Sequence, residues 1–453
     1  MTTAPDTPDA TLQPRASWRE SLAVYLQPRV LIVLMLGLSS GLPLALSGST
    51  LLVWMRESGV DLGTIGLFAL VGTPYTLKFL WAPLVDALHV PFFTRAFGRR
   101  RGWLVFSQLL LIAAILLLAL TDPARSPLFV ALGALLVAAM SSTQDIVVDA
   151  FRVESLPESE QAAGMASYVA AYRIGMLIST AGILFLVSAF ESTGIARSSA
   201  WMWGYVAMAA MVLIGTVTAL IATEPEQSVQ AEAATRGESA FQRVLRAAIG
   251  AFSEFLSRKD AWAALAFVVL FKFTDAFSGT MTAPFVIDLG FTRNDYAAIV
   301  KGVGLAATLI GGFAGGFVAR RYSLAASLWI GAVLQAVSNL AFAWLALVGV
   351  NQWALALAIS VENFTGAIGT VIFVAYLSAL CKNPLHTATQ YALLTALAAV
   401  GRTYMSAGAG YVAQATGWPL FFVISMLVAV PSLVLLLWLQ RRGHFAALGP
   451  VRI

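Results

Sequence analysis

Long apolar runs recur along almost the whole chain, and that recurrence limits the fold more than any other feature. A helix needs about 20 apolar residues to cross the hydrocarbon core of a bilayer. Twelve such runs are present, at approximately 30–54, 62–86, 102–121, 127–151, 163–189, 200–222, 261–287, 294–318, 324–348, 352–380, 387–415 and 419–439. Lipid offers no partner to a backbone N–H or C=O, so runs of this length must satisfy their own hydrogen bonds as helices. Charge is also scarce: 11% of the 453 residues are charged and 59% are hydrophobic. Soluble domains carry roughly 25% charge. The chain therefore reads as an all-α membrane protein of twelve transmembrane helices. A net charge of +5 does not signal nucleic-acid binding, because the basic residues are scattered over loop positions and form no patch. The single Cys381 excludes a disulfide framework.

Two connections are long. Residues 87–101 carry "HVPFFTRAFGRRR", and 223–260 form a polar linker that divides the chain six plus six. The expected segments are a cytoplasmic tail with an interfacial helix (1–29), a first six-helix bundle (30–222), a linker with an amphipathic helix (223–260), a second bundle (261–440) and a tail (441–453). Residues 1–17 are Pro-rich and read as disordered, not as a secretory signal. "SWRESLAVYL" and "FQRVLRAAIGAFSEFL" space apolar residues helically with Arg between, as helices lying on the inner leaflet do. With the N-terminus placed in the cytoplasm, 19 of the 28 Lys and Arg fall on the cytoplasmic side. Four fall outside, Arg56, Arg125, Arg197 and Arg293, and five lie within spans. That bias predicts both termini inside.

The halves repeat weakly. "SGST" from Ser47 and the following Gly59 match "SGTM" from Ser278 and Gly290, each at an offset of 231. "EQAAGMASYVAAYR", ending at Arg173, matches "TQYALLTALAAVGR", ending at Arg402, at an offset of 229 that Gln161 and Gln390 share. Repeated halves related by a pseudo-two-fold axis are a transporter signature, with the substrate site between them near the midplane.

A charge at mid-membrane costs several kcal/mol unless it faces water or a partner, so its position carries information. The ionisable residues inside spans are Lys78 (span 2), Asp145 and Asp149 (span 4), Arg173 (span 5), Lys272 and Asp275 (span 7), Lys301 (span 8), Glu362 (span 10) and Arg402 (span 11). Spans 3, 6, 9 and 12 have none in their interiors. Asp145 and Asp149 are four residues apart and share a helix face with Ser141, Ser142 and Arg152. Asp145 lies roughly 9 Å into the membrane and Asp149 roughly 3 Å. Arg173 and Lys78 are candidate counter-cations for Asp145. Either these carboxylates carry protons, or they are permanent ion pairs at the inner gate; the second reading suits Asp149. Glu362, about 15 Å deep and next to Asn363, is the strongest lone proton carrier. Lys272 and Asp275, three apart, neutralise each other or leave Asp275 a coupling role. One elementary charge crossing 100 mV yields about 2.3 kcal/mol, close to a 50-fold gradient.

Trp54, Tyr75, Trp81, Tyr172, Tyr376 and Tyr391 lie in or near charge-bearing spans, where aromatic faces stack on sugars or simply fill the core. "GGFAGG", Gly311 to Gly316, reads as close helix packing. His89, His386 and His444 are far apart and form no metal site, and no nucleophile–base pair or phosphate loop suggests an enzyme.

The segments "GLPLALSGSTLLVWM", "TIGLFALVGTPYTLKFLWAPLVD", "GRRRGWL", "SSTQDIVVDA", "FKFTDAFSGTMT", "LQAVSNLAF", "VENFTGAIGTVIFVAYLSALC" and "ATQYALLTALAAVGR" closely resemble the AmpG muropeptide permease family of the major facilitator superfamily. The likeness covers nearly the whole membrane region. It implies two six-helix bundles with every third helix outermost, the layout that the charge-free spans reproduce. It implies import of N-acetylglucosaminyl-1,6-anhydro-N-acetylmuramyl peptides from periplasm to cytoplasm by a monomer in the bacterial inner membrane. The proton-motive force drives it, with no cofactor, and the import serves cell-wall recycling and β-lactamase induction. On this resemblance Lys78, Arg173, Lys272, Lys301 and Arg402 bind the substrate's carboxylates. Gln144, Asn363, Gln390, Tyr75, Tyr172 and Tyr376 meet its sugars. "PLVDALHVPFFTRAFGRRRG" is similar to the superfamily's loop 2–3 motif, so Asp86, Arg99, Arg100 and Arg101, with Arg152, serve the inner gate. Some relatives add two further spans; twelve helices are expected to suffice here. Rival readings are a permease for acetyl-CoA, a siderophore or another anion, and a non-transporting membrane sensor. The first would want clustered arginines, and the last a sizeable soluble domain.

Overall fold

The structure is a computed structural model that describes residues 23–225, 260–381 and 387–448. The linker helix expected within 223–260 and most of the N-terminal interfacial helix lie outside the described residues; of the latter, Val24–Leu26 form one 3₁₀ turn.

Among the described residues there is no strand. Ten helices are long and apolar enough to cross a membrane: Pro28–Glu57 (span 1), Arg99–Ala119 (3), Pro127–Ser155 (4), Ala163–Ser192 (5), Arg197–Ile221 (6), Ala261–Asp288 (7), Arg293–Arg321 (8), Leu324–Val348 (9), Gln352–Leu380 (10) and Trp418–Arg441 (12). Spans 2 and 11 complete the two bundles as broken rods. Span 2 runs Leu62–Leu67, Phe68–Gly72, Thr73–Leu77, Lys78–Leu80 and Ala82–Ala87, the second and fourth pieces being 3₁₀. Pro74 and Pro83 each remove an N–H and crowd the preceding turn, which accounts for breaks there. Span 11 runs Thr387–Tyr404, a 3₁₀ turn Met405–Gly408, and Ala409–Thr416.

The repeat seen in the sequence is a repeat of backbone geometry. Span 1 stops at Leu46 and resumes at Ser49; span 7 stops at Gly279 and resumes at Thr282. Each then ends in a left-handed glycine, Gly59 at φ 82° and Gly290 at φ 104°, a conformation that a side chain would strain. The turns that follow are capped: the Asp61 carboxylate accepts from the Thr64 N–H, and Thr292 forms a reciprocal capping box with Asp295.

Within the halves, glycine lets backbones touch. A Cβ on Gly41 of span 1 would sit 2.1 Å from the Tyr172 carbonyl oxygen of span 5. In the second half, a Cβ on Gly311 would sit 2.3 Å from the Phe364 oxygen of span 10. The "GGFAGG" motif is thus half used. Gly311 and Gly315 face span 10, while Gly312 and Gly316 meet nothing within 4 Å. This packing lies inside the second half, not between the halves.

The halves meet where Ser49–Glu57 of span 1 touches Thr282–Asp288 of span 7, and along two further seams. One joins span 2 to span 11, where Gly66 and Gly410 cross: a Cβ on Gly410 would lie 1.8 Å from the Leu62 oxygen. Thr76 and Thr403 share a hydrogen bond of 3.1 Å further along it. The other joins span 5 to span 8. There two π-helical stretches, Ile178–Gly182 and Tyr296–Val303, pack against each other. Departures from α-helical geometry therefore gather where the halves meet.

Candidate functional site

Between the two halves lies a cavity of about 650 Å³. Spans 1, 2, 5, 7, 8, 10 and 11 line it; spans 3, 6, 9 and 12 contribute no lining residue. These four are charge-free in their interiors, but the match is not complete: span 4, which carries Asp145 and Asp149, also contributes no lining residue among the described residues, and span 1, without an interior charge, does line the cavity.

Arg173, Asp275, Lys301, Glu362 and Arg402 all reach this cavity, with Asn363 and Tyr75. The Asn363 Nδ2 donates to Glu362 Oε2 at 2.7 Å, and Thr308 Oγ1 donates to Asn363 Oδ1 at 3.1 Å. Lys301 Nζ lies over the Tyr296 ring, 5.3 Å from its centre, and reaches Ser49 Oγ of the first half at 3.4 Å. Asp275 pairs with Lys272 at 3.3 Å, the mutual neutralisation that their spacing suggests. Lys272 Nζ also donates to Thr370 Oγ1 at 2.8 Å. Both lining carboxylates belong to the second half.

Asp145 sits behind the first half's wall, 8% exposed, and accepts from Ser40 Oγ of span 1 at 2.8 Å. Arg173, one of its candidate cations, turns to the cavity instead. Gln144 is fully buried beside it, with Nε2 3.4 Å from Ser40 Oγ and Oε1 unpartnered. Asp149 pairs with Arg152 at 3.6 Å, one turn along the helix. Tyr172 is half-buried, its ring 6.0 Å from that of Tyr168.

Tyr376 lies elsewhere. It is fully buried in the second half's core, against Phe267 and, through its hydroxyl, 3.2 Å from His444 Nε2. Fourteen residues beyond Glu362 on a continuous helix, it is about 21 Å further along the axis, past the cavity. Trp54 is likewise core, stacked 5.6 Å from Trp201. The side chains of Gln390, Tyr391 and Asp86, and all of His386, lie outside the described residues.

The loop arginines bind within the first half. Arg100 forks onto Glu154 at 2.9 and 2.5 Å, Arg99 reaches the same carboxylate at 3.5 Å, and Arg101 Nε donates to the Ala219 carbonyl at 2.9 Å. Glu224 accepts from the Arg100 and Arg101 backbone N–H groups at 2.8 and 3.0 Å. These contacts brace spans 3, 4 and 6 together.

Ion pairs between the halves stand at the opposite end from the chain termini. Arg293 of span 8, 6% exposed, donates to Glu57 at 2.9 and 2.6 Å and to Glu191 at 2.9 Å, both in the first half. Its guanidinium lies 5.4 Å from the Trp201 ring, whose Nε1 donates to Glu57 at 3.1 Å. Arg56 of the first half pairs with Asp288 of the second. Glu57 and Asp288 are 231 positions apart, so the repeat places one carboxylate in each half for an arginine of the other. Ser188 and Asn294 add a bond of 2.8 Å, and the Gly63 N–H donates to Gln414 at 3.1 Å. By loop-charge bias alone Arg56 and Arg293 read as topology markers. The offset that aligns Gly59 with Gly290 also aligns Glu57 with Asp288, and was the available signal. The cavity is therefore sealed at this end.

Residues 30–402 match the Major Facilitator Superfamily. The chain is 39% identical over 417 residues to the anhydromuropeptide permease of Escherichia coli K12, covering 92% of this chain and 80% of that protein. It is 34% identical over 419 residues to the putative transporter AmpG 4 of Rickettsia felis, covering 92% and 98%. Among solved structures, the nucleoside transporter NupG superposes with a TM-score of 0.67 at 14% identity, covering 94% of this chain and all of that one. A D-xylose–proton symporter superposes at 0.62 and 12% identity, covering 91% and 97%. These two likenesses concern the fold. The chain is a multi-pass membrane transporter of the major facilitator superfamily, and belongs to its AmpG permease family.

Proposed function

We propose that the protein imports anhydro-muropeptides from periplasm to cytoplasm across the bacterial inner membrane, driven by protons, through alternating access. The observation that carries this is the joint presence of cations and half-buried carboxylates in one cavity closed at one end, in a chain so similar to the E. coli anhydromuropeptide permease. With both termini cytoplasmic, as the Lys and Arg bias suggests, the sealed end is periplasmic and the conformation is inward-facing.

Opening to the periplasm requires the Arg293–Glu57–Glu191 and Arg56–Asp288 pairs to part. A solute then enters and meets Arg173, Arg402 and Lys301 through its carboxylates, and Asn363 and Tyr75 through its sugars. Glu362 and Asp275 take the coupled proton, because they face the cavity from a half that rocks. Asp145 and Lys78, with Gln144 and Tyr172, hold the first half's wall. Asp149 and Arg152, with Asp86 and Arg99–Arg101, serve the inner gate in the alternate state. Tyr376 is a packing residue, and no role is assigned to Gln390.

The test is uptake of labelled anhydro-muropeptide into proteoliposomes under an imposed proton gradient. Concentrative uptake is expected. Glu362→Gln should abolish accumulation yet preserve exchange of solute across the membrane. Gradient-independent uptake would remove the proton coupling, and absence of any uptake would remove the substrate.

A further inference from the structure

We propose that a groove between spans 8 and 10, on the outside of the second half, holds one acyl chain of an anionic phospholipid whose phosphate Arg320 and Arg321 bind. The inference goes beyond the transport reading and takes from it only that both termini are cytoplasmic, which makes this a lipid of the inner leaflet.

The groove has a volume of about 430 Å³. Val303, Ala306 and Ile310 of span 8 line it with Ser360, Val361 and Phe364 of span 10, Ser360 alone among these being polar. It shares no lining residue with the cavity between the halves. Span 8 turns Gly304 and Thr308 to that cavity, and Val303, Ala306 and Ile310, all exposed, to the groove. In a membrane helix the exposed side meets hydrocarbon, so an apolar occupant suits it. Beyond the groove this side of span 8 stays open. Phe313 and Phe317 are 84% and 68% exposed, and a Cβ on Gly312 or Gly316 would meet nothing within 4 Å. No other described element covers the strip.

The arginines decide which lipid. Arg321 stands eighteen positions after Val303, five full turns, and so shares its face. It stands eleven positions after Ile310, about 16 Å along the axis. That is the depth of one leaflet of a hydrocarbon core about 30 Å thick. Arg320 and Arg321 end the helix on the side of the chain termini, and both are exposed. Neither has a carboxylate partner among the described residues; Arg321 lies 5.8 Å from the Tyr322 ring. Two adjacent guanidiniums at headgroup depth match a phosphate by charge and by the geometry of their forks. A lipid phosphate held there sends its chain along the open strip, and the groove receives the chain's far end. A zwitterionic headgroup brings its own cation and gains less from the pair.

The test is photolabelling of the detergent-purified full chain by a phosphatidylglycerol with a diazirine near the methyl end of one acyl chain. Label should fall on the peptides that contain residues 303–310 and 360–364. Unlabelled phosphatidylglycerol should displace it at a concentration roughly 25-fold lower than phosphatidylcholine of the same chains, each arginine being worth about fivefold. Joint Arg320→Gln and Arg321→Gln should erase that preference and leave the melting temperature as in the parent, since both side chains are exposed. Ala306→Phe, which fills the groove from its exposed side, should lower the labelling of both peptides. Label spread evenly over the lipid-facing spans would overturn the site, as would equal displacement by the two lipids or a preference that survives the double variant. A second copy of the chain seated in the groove would leave both peptides unlabelled and give a dimer in native mass spectrometry, and would overturn it equally.

Discussion

Arg293→Gln should turn the protein from one resting state to the other. Arg293 is buried between Glu57 and Glu191 at 2.6 and 2.9 Å, with Trp201 against its face. Removing the cation leaves two carboxylates facing each other in a dry contact between the halves. Breaking a buried pair by deleting one partner costs about 3–5 kcal/mol. Glu191 keeps a second partner, Arg197 at 3.1 Å, so the lower figure applies. About 3 kcal/mol is a shift of roughly 150-fold in the equilibrium between the two states. The carboxylates regain water when the sealed end opens, so the cost falls on the sealed state alone. The assay is labelling of Thr280→Cys, a cavity residue, in a Cys381→Ser background, by an impermeant maleimide applied from the sealed side. Labelling should be slow in the parent and fast in Arg293→Gln, with Arg197→Gln close to the parent because Arg197 is largely exposed. Unchanged labelling in Arg293→Gln would refute the claim that this network holds the end shut.

Gly410→Ala places a methyl 1.8 Å from the Leu62 oxygen across the seam, so it should speed the same labelling and slow uptake, with little loss of thermal stability. Gly311→Ala is the contrasting case: its methyl meets Phe364 within one half, so melting temperature should fall by several degrees while labelling stays as in the parent, and Gly312→Ala, facing open space, should do neither. Asp61 caps the Thr64 turn, and that N–H holds its carboxyl below the usual carboxylate range. Its contribution is present above the ordinary carboxylate pKa and fades as pH falls through the lowered value, so Asp61→Ala should cost about 1 kcal/mol at pH 7 and progressively less in acid, read by thermal unfolding.

The spans and their grouping were legible because apolar length, loop charge and the six-plus-six division are local or additive signals. The polarity of the cavity wall was legible too, since a charge in a bilayer must face water or a partner wherever the helix turns it. Arg173, Asp275, Lys301, Glu362 and Arg402 reach the cavity for that reason. Sharing a charge-bearing span does not place Tyr376 at the site: it lies fourteen residues beyond Glu362 on the same helix, past the cavity and in the core of the second half. The seal was the larger omission. Glu57 with Arg293 and Arg56 with Asp288 pair across 236 and 232 positions, and charges near a membrane surface look like solvated loop residues until the halves are brought together. Pro74 and Pro83 lie at breaks in span 2, whereas span 11 breaks at Met405–Gly408 without a proline.

The proposed transport cycle requires the two halves to rock about the cavity so that one end opens as the other closes. Spin-label distances measure this directly, with one pair at Thr193 and Gln352 across the sealed end and another at Val153 and Tyr322 across the terminal end, all half-buried or exposed, in a Cys381→Ser background. In reconstituted protein, adding Arg293→Gln should lengthen the first distance and shorten the second, and anhydro-muropeptide should redistribute both populations. Distances that change together in the same sense, or at neither end, would contradict alternating access.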